Sequence, residues 1–239
     1  MANIIKIDNS ILKRTARVEK KRKENTKQEK VYFLIVCEGE KTEPNYFKSF
    51  KTNVKSYVHS LDVFGEGSNT KDLVKRTIKF RDKSSQKYDS VWAVFDKDSF
   101  NTNNFNGAIQ LAQNSNIKVG WTNEAFELWY LLHFQYRNTS MNRNEYKQAL
   151  EREVNAAIEK KSKTKKYKKF EYKKNSQAMY AILEKYGNQT QAIKNAEKLI
   201  LTHNCTNYSI HNPCTMIHLL VQELNGTSVG LLEQLDLKK

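Results

Sequence analysis

The apolar positions of this chain form short runs, and in the first half these runs alternate with segments of helical periodicity. Continuous apolar runs of strand length are typical of parallel strands buried on both faces, and apolar residues three or four apart indicate amphipathic helices. We expect strands at residues 31–37, 57–64, 89–95 and 117–122, and helices at 42–53, 72–83 and 104–115. This alternation predicts an α/β fold with a doubly wound, mainly parallel four-stranded sheet.

The second half of the chain is mostly helical in its pattern. We expect helices at residues 123–134, 143–160, 176–186, 189–203 and 213–224. The chain has only two prolines and no Pro/Gly linker, so the helical half should pack on the α/β half. The predicted organisation is a basic, flexible N-terminal arm at 1–30, an α/β domain at 31–135 and a helical C-terminal region at 136–239.

The charge balance narrows the class of partner. A net charge of +15, from 41 Lys and Arg against 26 Asp and Glu, attracts polyanions, of which nucleic acid is the commonest and an acidic membrane surface the next. The apolar runs are far shorter than the ~20 residues that span a bilayer, and the first residues lack a secretory signal. We expect a cytoplasmic protein without a membrane partner, and without disulfides, since three cysteines form no even-numbered framework.

Carboxylates follow two of the predicted strands, with Glu38 after the first and Asp96 and Asp98 after the third. Ligands of open α/β sheets bind beyond the carboxyl ends of the strands, so these acids converge if the two strands are neighbours. Clustered carboxylates repel one another, and their oxygens are the ligands that Mg²⁺ and Mn²⁺ prefer. The pattern predicts a divalent-metal site suited to phosphodiester hydrolysis. The alternative is that these acids only cap helices and face solvent.

Residues 160–174 contain nine lysines and three aromatic residues, in a basic loop or a short basic hairpin. Lysines can bind phosphates while aromatic rings stack on unpaired bases, as in proteins that bind single strands. The predicted nucleic-acid-binding residues are Lys160, Lys161, Lys163, Lys165, Lys166, Lys168, Lys169, Tyr167 and Phe170, and Tyr172 is the third ring. The alternative is an ordinary solvated charged surface.

Two other chemistries are disfavoured. The residues His203, Cys205, His211 and Cys214 have a spacing unlike the usual structural zinc patterns. The chain contains no Walker loop, so any ATP hydrolysis would have to come from a partner.

Five segments together resemble the RloB-like family, whose fold is similar to the Toprim domain of topoisomerases, primases and OLD-family nucleases. The Toprim pattern is a glutamate and glycine after one strand and D-x-D after another. The five segments are IVCEGEKTEPNYF (35–47), GEGSN (65–69), VWAVFDKDSF (91–100), NEAFELWYLLHF (123–134) and HNPCTMIHLLVQEL (211–224). Asn123-Glu124-Ala125 departs from the small or proline-containing turn that we would expect before FELW.

The resemblance implies a Toprim-like fold, a nuclease dependent on Mg²⁺ or Mn²⁺, and a role in bacterial antiphage or abortive-infection systems beside an ABC-type or AAA-type ATPase. Carried over residue by residue, it places acid–base or metal chemistry on Glu38 and metal ligation on Asp96 and Asp98. Related nucleases often carry a further acid after the glycine. We expect this acid to be Glu43 rather than Glu40, which we expect to face water. Glu127, inside an apolar helix, is the other open acid, since it needs a partner, a metal or a proton.

Two functions from different classes therefore compete. The first is a metal-dependent endonuclease that acts on DNA or RNA, including tRNA, as the effector of a defence system. The second is a non-catalytic subunit that binds nucleic acid or docks on an ATPase. The clustered acids favour the nuclease, because a pure binder of phosphates has no need of them. The sequence leaves the number of chains in the assembly open.

Overall fold

The computed structural model describes residues 31–53, 58–65, 70–97, 102–162 and 168–227. The strands are β1 (Val31–Cys37), β2 (Val58–Gly65), β3 (Ser90–Asp96), β4 (Lys118–Asn123) and β5 (Cys214–Thr215). The helices are α1 (Thr42–Asn53), α2 (Thr70–Lys83), α3 (Thr102–Asn114), α4 (Glu127–Leu132), α5 (Arg143–Lys161), α6 (Met179–Tyr186), α7 (Gln189–Ile200) and α8 (Ile217–Leu224), with a 3₁₀ turn at Tyr208–Ile210. The predicted arm at 1–30 lies outside the described residues.

The described strands form one sheet in the order β2-β1-β3-β4-β5. The first four are parallel, which confirms the α/β fold with a mainly parallel sheet. Because β1 lies between β2 and β3, the condition under which the strand-end acids converge is met. The prediction of four strands was wrong, because β5 pairs antiparallel with β4 at the far edge. A strand of two residues is too short to show the alternation from which strands are predicted.

Several helix boundaries also differ from the prediction. The helix expected at 123–134 is only Glu127–Leu132, and the one expected at 189–203 ends at Ile200. The last helix begins at Ile217 rather than 213, because the preceding residues pair with β4 instead. The apolar residues of the short edge strand directly precede those of the helix, so in the sequence the two elements resemble one longer helix.

None of the helices within the described parts of the chain is long and apolar enough to cross a bilayer.

Alternate residues of the central strands face two separate cores, as the period of a strand requires. Phe33 and Ile35 of β1 face one side, where α1 and the helices α4 to α8 pack. Leu34 and Val36 face the other side, which α2 and α3 cover. The C-terminal helices therefore pack on the sheet, as the sequence predicts.

A buried carboxylate joins the last helix to the sheet at the end opposite the strand-end acids. Glu223 of α8 is 4% exposed and accepts hydrogen bonds from Ser90 Oγ at 2.7 Å and Trp92 Nε1 at 2.9 Å. It also pairs with the ammonium group of Lys118 at the start of β4. Because a buried charge is tolerated only when it is paired and hydrogen-bonded, this cluster fixes α8 against β3 and β4.

Glu223→Ala should lower the free energy of unfolding by about 3 kcal/mol, because it removes the acceptor of the buried Ser90 hydroxyl and the partner of Lys118, while Trp92 Nε1 keeps only Ser90 Oγ. Urea unfolding followed by far-UV circular dichroism measures this change. The control is Glu184→Ala at an exposed helical position, expected within about 0.5 kcal/mol of wild type. Equal stability of the two variants would contradict a role of Glu223 in holding α8.

Candidate functional site

The ends of β1 and β3 bring Glu38 and Asp96 together. The two strands are parallel neighbours with Cys37 opposite Val94, and the amide of Glu38 extends the ladder by donating to Val94 O at 2.8 Å. The Glu38 carboxylate accepts from the backbone amide of Asp96 at 3.2 Å and from Thr70 Oγ1, at the start of α2, also at 3.2 Å. Three elements thus fix the orientation of this one carboxylate.

Asp96 points from the end of β3 toward the helical half of the molecule. Its Oδ2 accepts from the backbone amide of Phe126 at 3.1 Å, and Arg143 Nη2, at the start of α5, lies 3.6 Å from the same oxygen. The residue is only 9% exposed. Asp96 therefore links the sheet to the segment before α4 and to the first residue of α5.

Glu43 folds back from the first turn of α1 against the backbone of Gly39. A β-carbon built on Gly39 would lie 2.2 Å from Glu43 Oε2, so only glycine leaves room for this carboxylate. Glu43 is 6% exposed, whereas the side chain of Glu40, in the loop before α1, is exposed. Of the two acids weighed after the glycine, the structure places Glu43 in the interior and Glu40 in solvent.

Glu127 lies half-buried at the start of α4, and its partner is a phenol. Tyr172 donates from its hydroxyl to Glu127 Oε1 at 2.7 Å. Tyr172 belongs to residues 168–175, which we call the cover segment because they lie across α1, α4 and α5. Thr42 Oγ1 donates to Lys174 O at 2.8 Å and Asn45 Nδ2 to Asn175 O at 3.2 Å, which ties the segment to α1.

The acids titrate abnormally because they are buried together. Burial raises the pKa of Glu38 to about 7, although hydrogen bonds from the Asp96 amide and Thr70 oppose the shift. Burial, and then the negative charge of Glu127, raise the pKa of Glu43 above its usual range. Burial, Glu43 and Glu127 likewise hold the pKa of Asp96 well above its usual range against the opposing charge of Arg143. Desolvation is thus the main cause of all three shifts, and repulsion between the carboxylates adds to it.

This donor set fits a hard divalent cation in chemistry, since carboxylate oxygens are the ligands that such ions prefer. The third predicted ligand, Asp98, lies outside the described residues. Within the described ranges, no group of three or more His, Cys, Asp or Glu side chains is close enough to bind a metal ion. Glu38 and Asp96 are therefore the two predicted ligands whose positions are known.

Within the described residues, His203, Cys205, His211 and Cys214 likewise form no group that could hold a metal ion. Cys205 Sγ lies 3.5 Å from His211 Nε2, and the rings of His203 and His211 stack in parallel with their centroids 4.5 Å apart. His203 Nε2 lies 3.2 Å from Pro213 O, so backbone contacts occupy part of this cluster.

The predicted basic surface is described only in part. Lys160 and Lys161 end α5, and Lys168 and Lys169 open the cover segment, all with exposed side chains. The other predicted residues, Lys163, Lys165, Lys166 and Tyr167, lie outside the described residues.

The aromatic residues of this segment are less available than the sequence suggests. Phe170 is half-buried, and its backbone pairs with the side chain of Asn155 through bonds of 2.8 and 2.9 Å. Tyr172 is only 6% exposed, so the expectation that its ring stacks on a base is wrong for this conformation. The contact with Glu127 explains why: the ring supplies the donor that a half-buried carboxylate needs.

Sequence reasoning did not find Arg143, Thr70 or the pairing of Tyr172 with Glu127. Arg143 and Asp96 are separated by 47 positions, and one arginine among many basic residues gives no signal of its own. Gly39 belongs to the glutamate–glycine pair that the sequence analysis identified. Only the structure shows why a glycine is needed there, since Glu43 packs against it.

Gly39→Ala should lower the free energy of unfolding by roughly 1–3 kcal/mol, because the new methyl group overlaps the buried Glu43 carboxylate. Gly39→Ala combined with Glu43→Ala should recover part of the loss, since the overlapping group is gone; thermal or urea unfolding measures both. The matched control is Gly107→Ala in the interior of α3, where a β-carbon meets nothing within 4 Å. This substitution should raise the free energy of unfolding by about 0.5–1 kcal/mol. Additive effects of the two substitutions would refute the contact.

The comparisons with known proteins agree with the segments quoted from the sequence. None of the curated proteins and none of the solved structures that were compared matches the chain. One family model, described as RloB-like protein, matches residues 33–224, which include most of β1, the strand-end acids, the cover segment and α8. This match covers most of the 239 residues, and the chain belongs to the RloB-like family.

Proposed function

We propose that this protein is a Toprim-like nuclease that hydrolyses phosphodiesters of nucleic acid with the help of Mg²⁺ or Mn²⁺. The observation that carries the proposal is the meeting of two acids at the ends of neighbouring parallel strands, where the half-buried Glu38 carboxylate accepts a hydrogen bond from the amide of the buried Asp96. Buried acids with raised pKa values mark functional sites more often than structural ones, since a structural acid is better placed in solvent or in an ion pair.

The Toprim-like assignment rests on the order of the elements around the acids. The glutamate follows the central strand β1 and the aspartate follows its neighbour β3, at the edge of the sheet where ligands of such folds bind. The additional strand β5 and the helices α4 to α8 would then be what this family adds to the Toprim core.

Glu38 and Asp96, with Asp98, are the residues that would hold the ion. When bound, such an ion supplies Lewis acidity toward a phosphodiester oxygen and a nearby water. In the protein without an ion the pKa of Glu38 is about 7, so an ion that binds to this carboxylate near neutral pH displaces a proton from it. Thr70 and the Asp96 amide keep its two oxygens in place, and the positive charge of Arg143 favours the ionised form of Asp96. The negative charges of Glu43 and Glu127 act on Asp96.

The basic surface would bring the substrate to these acids. A groove between α5 and the cover segment is lined by four cations, Lys147, Arg152, Lys169 and Lys173, and by Glu151, Glu159 and Glu171. Tyr172 lines the same groove and reaches Glu127 with its hydroxyl. The groove is thus adjacent to the acid site, and its lysines and arginine suit a phosphate backbone better than a base edge.

The biological setting proposed from the family is an antiphage or abortive-infection system in which an ATPase encoded nearby controls the nuclease. The net charge of +15 supports nucleic acid as the substrate class. Purified protein alone can therefore be inactive until the ATPase or a phage-derived trigger is added.

Glu38→Gln and Asp96→Asn should each lower the cleavage rate by about 10²–10⁴-fold, because each removes a charge that the proposed chemistry uses. The measurement is gel analysis of DNA, tRNA and total RNA incubated with protein and Mg²⁺, Mn²⁺ or EDTA. The control is Glu40→Gln in the same turn, which should cleave like wild type, since its side chain is exposed. Cleavage in EDTA, or cleavage that survives both substitutions, would contradict the mechanism.

The same experiment decides between the two function classes. Nucleic-acid binding without cleavage, in the presence of the cognate ATPase and a phage trigger, would identify the protein as a binding subunit. Loss of binding in Glu38→Gln is not expected under either function, because this residue bears no positive charge.

Glu38→Gln should also weaken the pH dependence of stability. The folded-state pKa of Glu38 is about 7 against an ordinary value of 4.5, so between these values the folded protein binds more protons than the unfolded chain. The contribution of Glu38 to the free energy of unfolding therefore decreases as pH rises through this window. Urea unfolding at several pH values should show a shallower decrease for Glu38→Gln than for wild type or Glu40→Gln. Parallel curves for all three proteins would show that Glu38 titrates normally.

A further inference from the structure

Two phenylalanine rings that the proposed chemistry does not use lie at the surface, one on β2 and one on α2. Phe64 is 40% exposed and Phe80 is 39% exposed, whereas the other phenylalanines of the described ranges are buried or half-buried. The two rings stack on each other, with their centroids 5.3 Å apart and 13° between their planes. We call them the aromatic pair. Neighbouring exposed rings, unlike single scattered apolar residues, indicate a binding surface.

The aromatic pair lies beside the acid site, on the same face of the sheet as Glu38. Phe64 is opposite Val36 of β1, and the ladder continues through the amide of Glu38, two positions after Val36. Side chains two positions apart on a strand point to the same face, and so do side chains opposite each other on neighbouring strands. The spacing of residues and strands in a sheet then places the α-carbons of Phe64 and Glu38 about 8 Å apart.

Both elements that carry the aromatic pair also contact the acid site directly. Gly65, next to Phe64, packs against the turn after Glu38, since a β-carbon on Gly65 would lie 2.6 Å from Gly39 O. The helix that carries the second ring begins at Thr70, whose hydroxyl donates to the Glu38 carboxylate at 3.2 Å. A strand of nucleic acid at the acid site therefore passes close to the exposed rings.

The surface around the aromatic pair is basic. The helix α2 carries six cations against two acids, a net charge of +4. Arg76 and Lys83 lie four positions before and three positions after Phe80, so they share its face of the helix, and both side chains are exposed. Proteins bind unpaired strands with this combination, because rings stack on bases while cations contact phosphates. An apolar protein surface would fit the rings but would desolvate the cations without pairing them.

We propose that the aromatic pair stacks on an unpaired base of the nucleic-acid strand that is held at the acid site. This inference rests on the proposed function and narrows its substrate class to single strands and loops. An unpaired base exposes its flat faces, whereas a base inside a duplex offers only its edges. The rings for this role thus come from β2 and α2 rather than from residues 160–174, where Tyr172 is buried and Phe170 half-buried.

The test is fluorescence anisotropy with three labelled probes: a short oligothymidylate, an abasic strand of the same length, and a duplex closed at both ends. The parent is Glu38→Gln, so that the probes stay intact in Mg²⁺, and a gel checks this. Phe64→Leu combined with Phe80→Leu keeps the apolar bulk but removes the ring faces. This double variant should bind oligothymidylate about tenfold more weakly than the parent. The abasic strand and the duplex should bind both proteins equally, because neither offers a base to stack.

Matched variants separate the lost rings from a lost fold. Phe80→Trp keeps a ring and should bind oligothymidylate as tightly as the parent, with quenched fluorescence of the new indole. The three tryptophans of the chain are buried, so this signal belongs to the introduced one. Leu201→Ala removes a side chain that is 80% exposed, outside the aromatic pair, and should leave binding unchanged. The double variant should lose only a few degrees in melting temperature, since it keeps its apolar contacts.

The outcomes keep the stacking site and the nuclease proposal apart. The stacking site is refuted if the parent does not bind oligothymidylate, if the double variant binds it like the parent, or if binding of the abasic strand weakens equally. Unchanged strand binding with a changed sedimentation coefficient would instead identify the aromatic pair as a protein-docking surface. If the double variant loses only base-dependent binding but wild type cleaves nothing with its ATPase and trigger, the stacking site stands and the nuclease proposal fails.

Discussion

The hydrogen bond from the Asp96 amide to the Glu38 carboxylate joins the two strand ends that form the candidate site. It exists because β1 and β3 are parallel neighbours whose ends lie at the same edge of the sheet. Burial removes water from these carboxylates, and a carboxylate without water must be hydrogen-bonded, paired with a cation or protonated. Every element around the site supplies one of these: Thr70 from α2, the Phe126 amide before α4, and Arg143 from α5.

The helical half of the chain completes the site that the sheet begins. The cover segment is held by side chains of α1 and α5 rather than by a regular ladder, and its Tyr172 reaches Glu127 from above the groove. Glu127 of α4 and Arg143 of α5 thus shift the pKa of Asp96 in opposite directions, and Asp96 itself is buried. A sheet with these two strand ends alone would leave the acids exposed, and their pKa values would then stay near those of ordinary carboxylates.

Much of the fold and the two central acids could be predicted from the sequence, because each depends on a local pattern. The runs at 31–37 and 89–95 are long, apolar and followed directly by carboxylates, so strand, burial and strand end could be read together. The prediction was less accurate where the pattern is short, or where the same pattern is typical of more than one structure or role. β5 has two residues, the start of α8 was placed four residues early, and Tyr172 was expected to stack on a base although it is buried against Glu127.

By itself the sequence determined the alternation of strands and helices, the excess of positive charge, the family and the positions of Glu38 and Asp96, since all of these are written in neighbouring residues. Only the tertiary structure decided which side chains meet these acids. Arg143 and Tyr172 come from segments far along the chain, and their contacts depend on how α5 and the cover segment pack on the sheet. Packing also decided the pKa of Glu38, because desolvation and the charge of Glu43 depend on distances in space, and spacing along the chain does not set those distances.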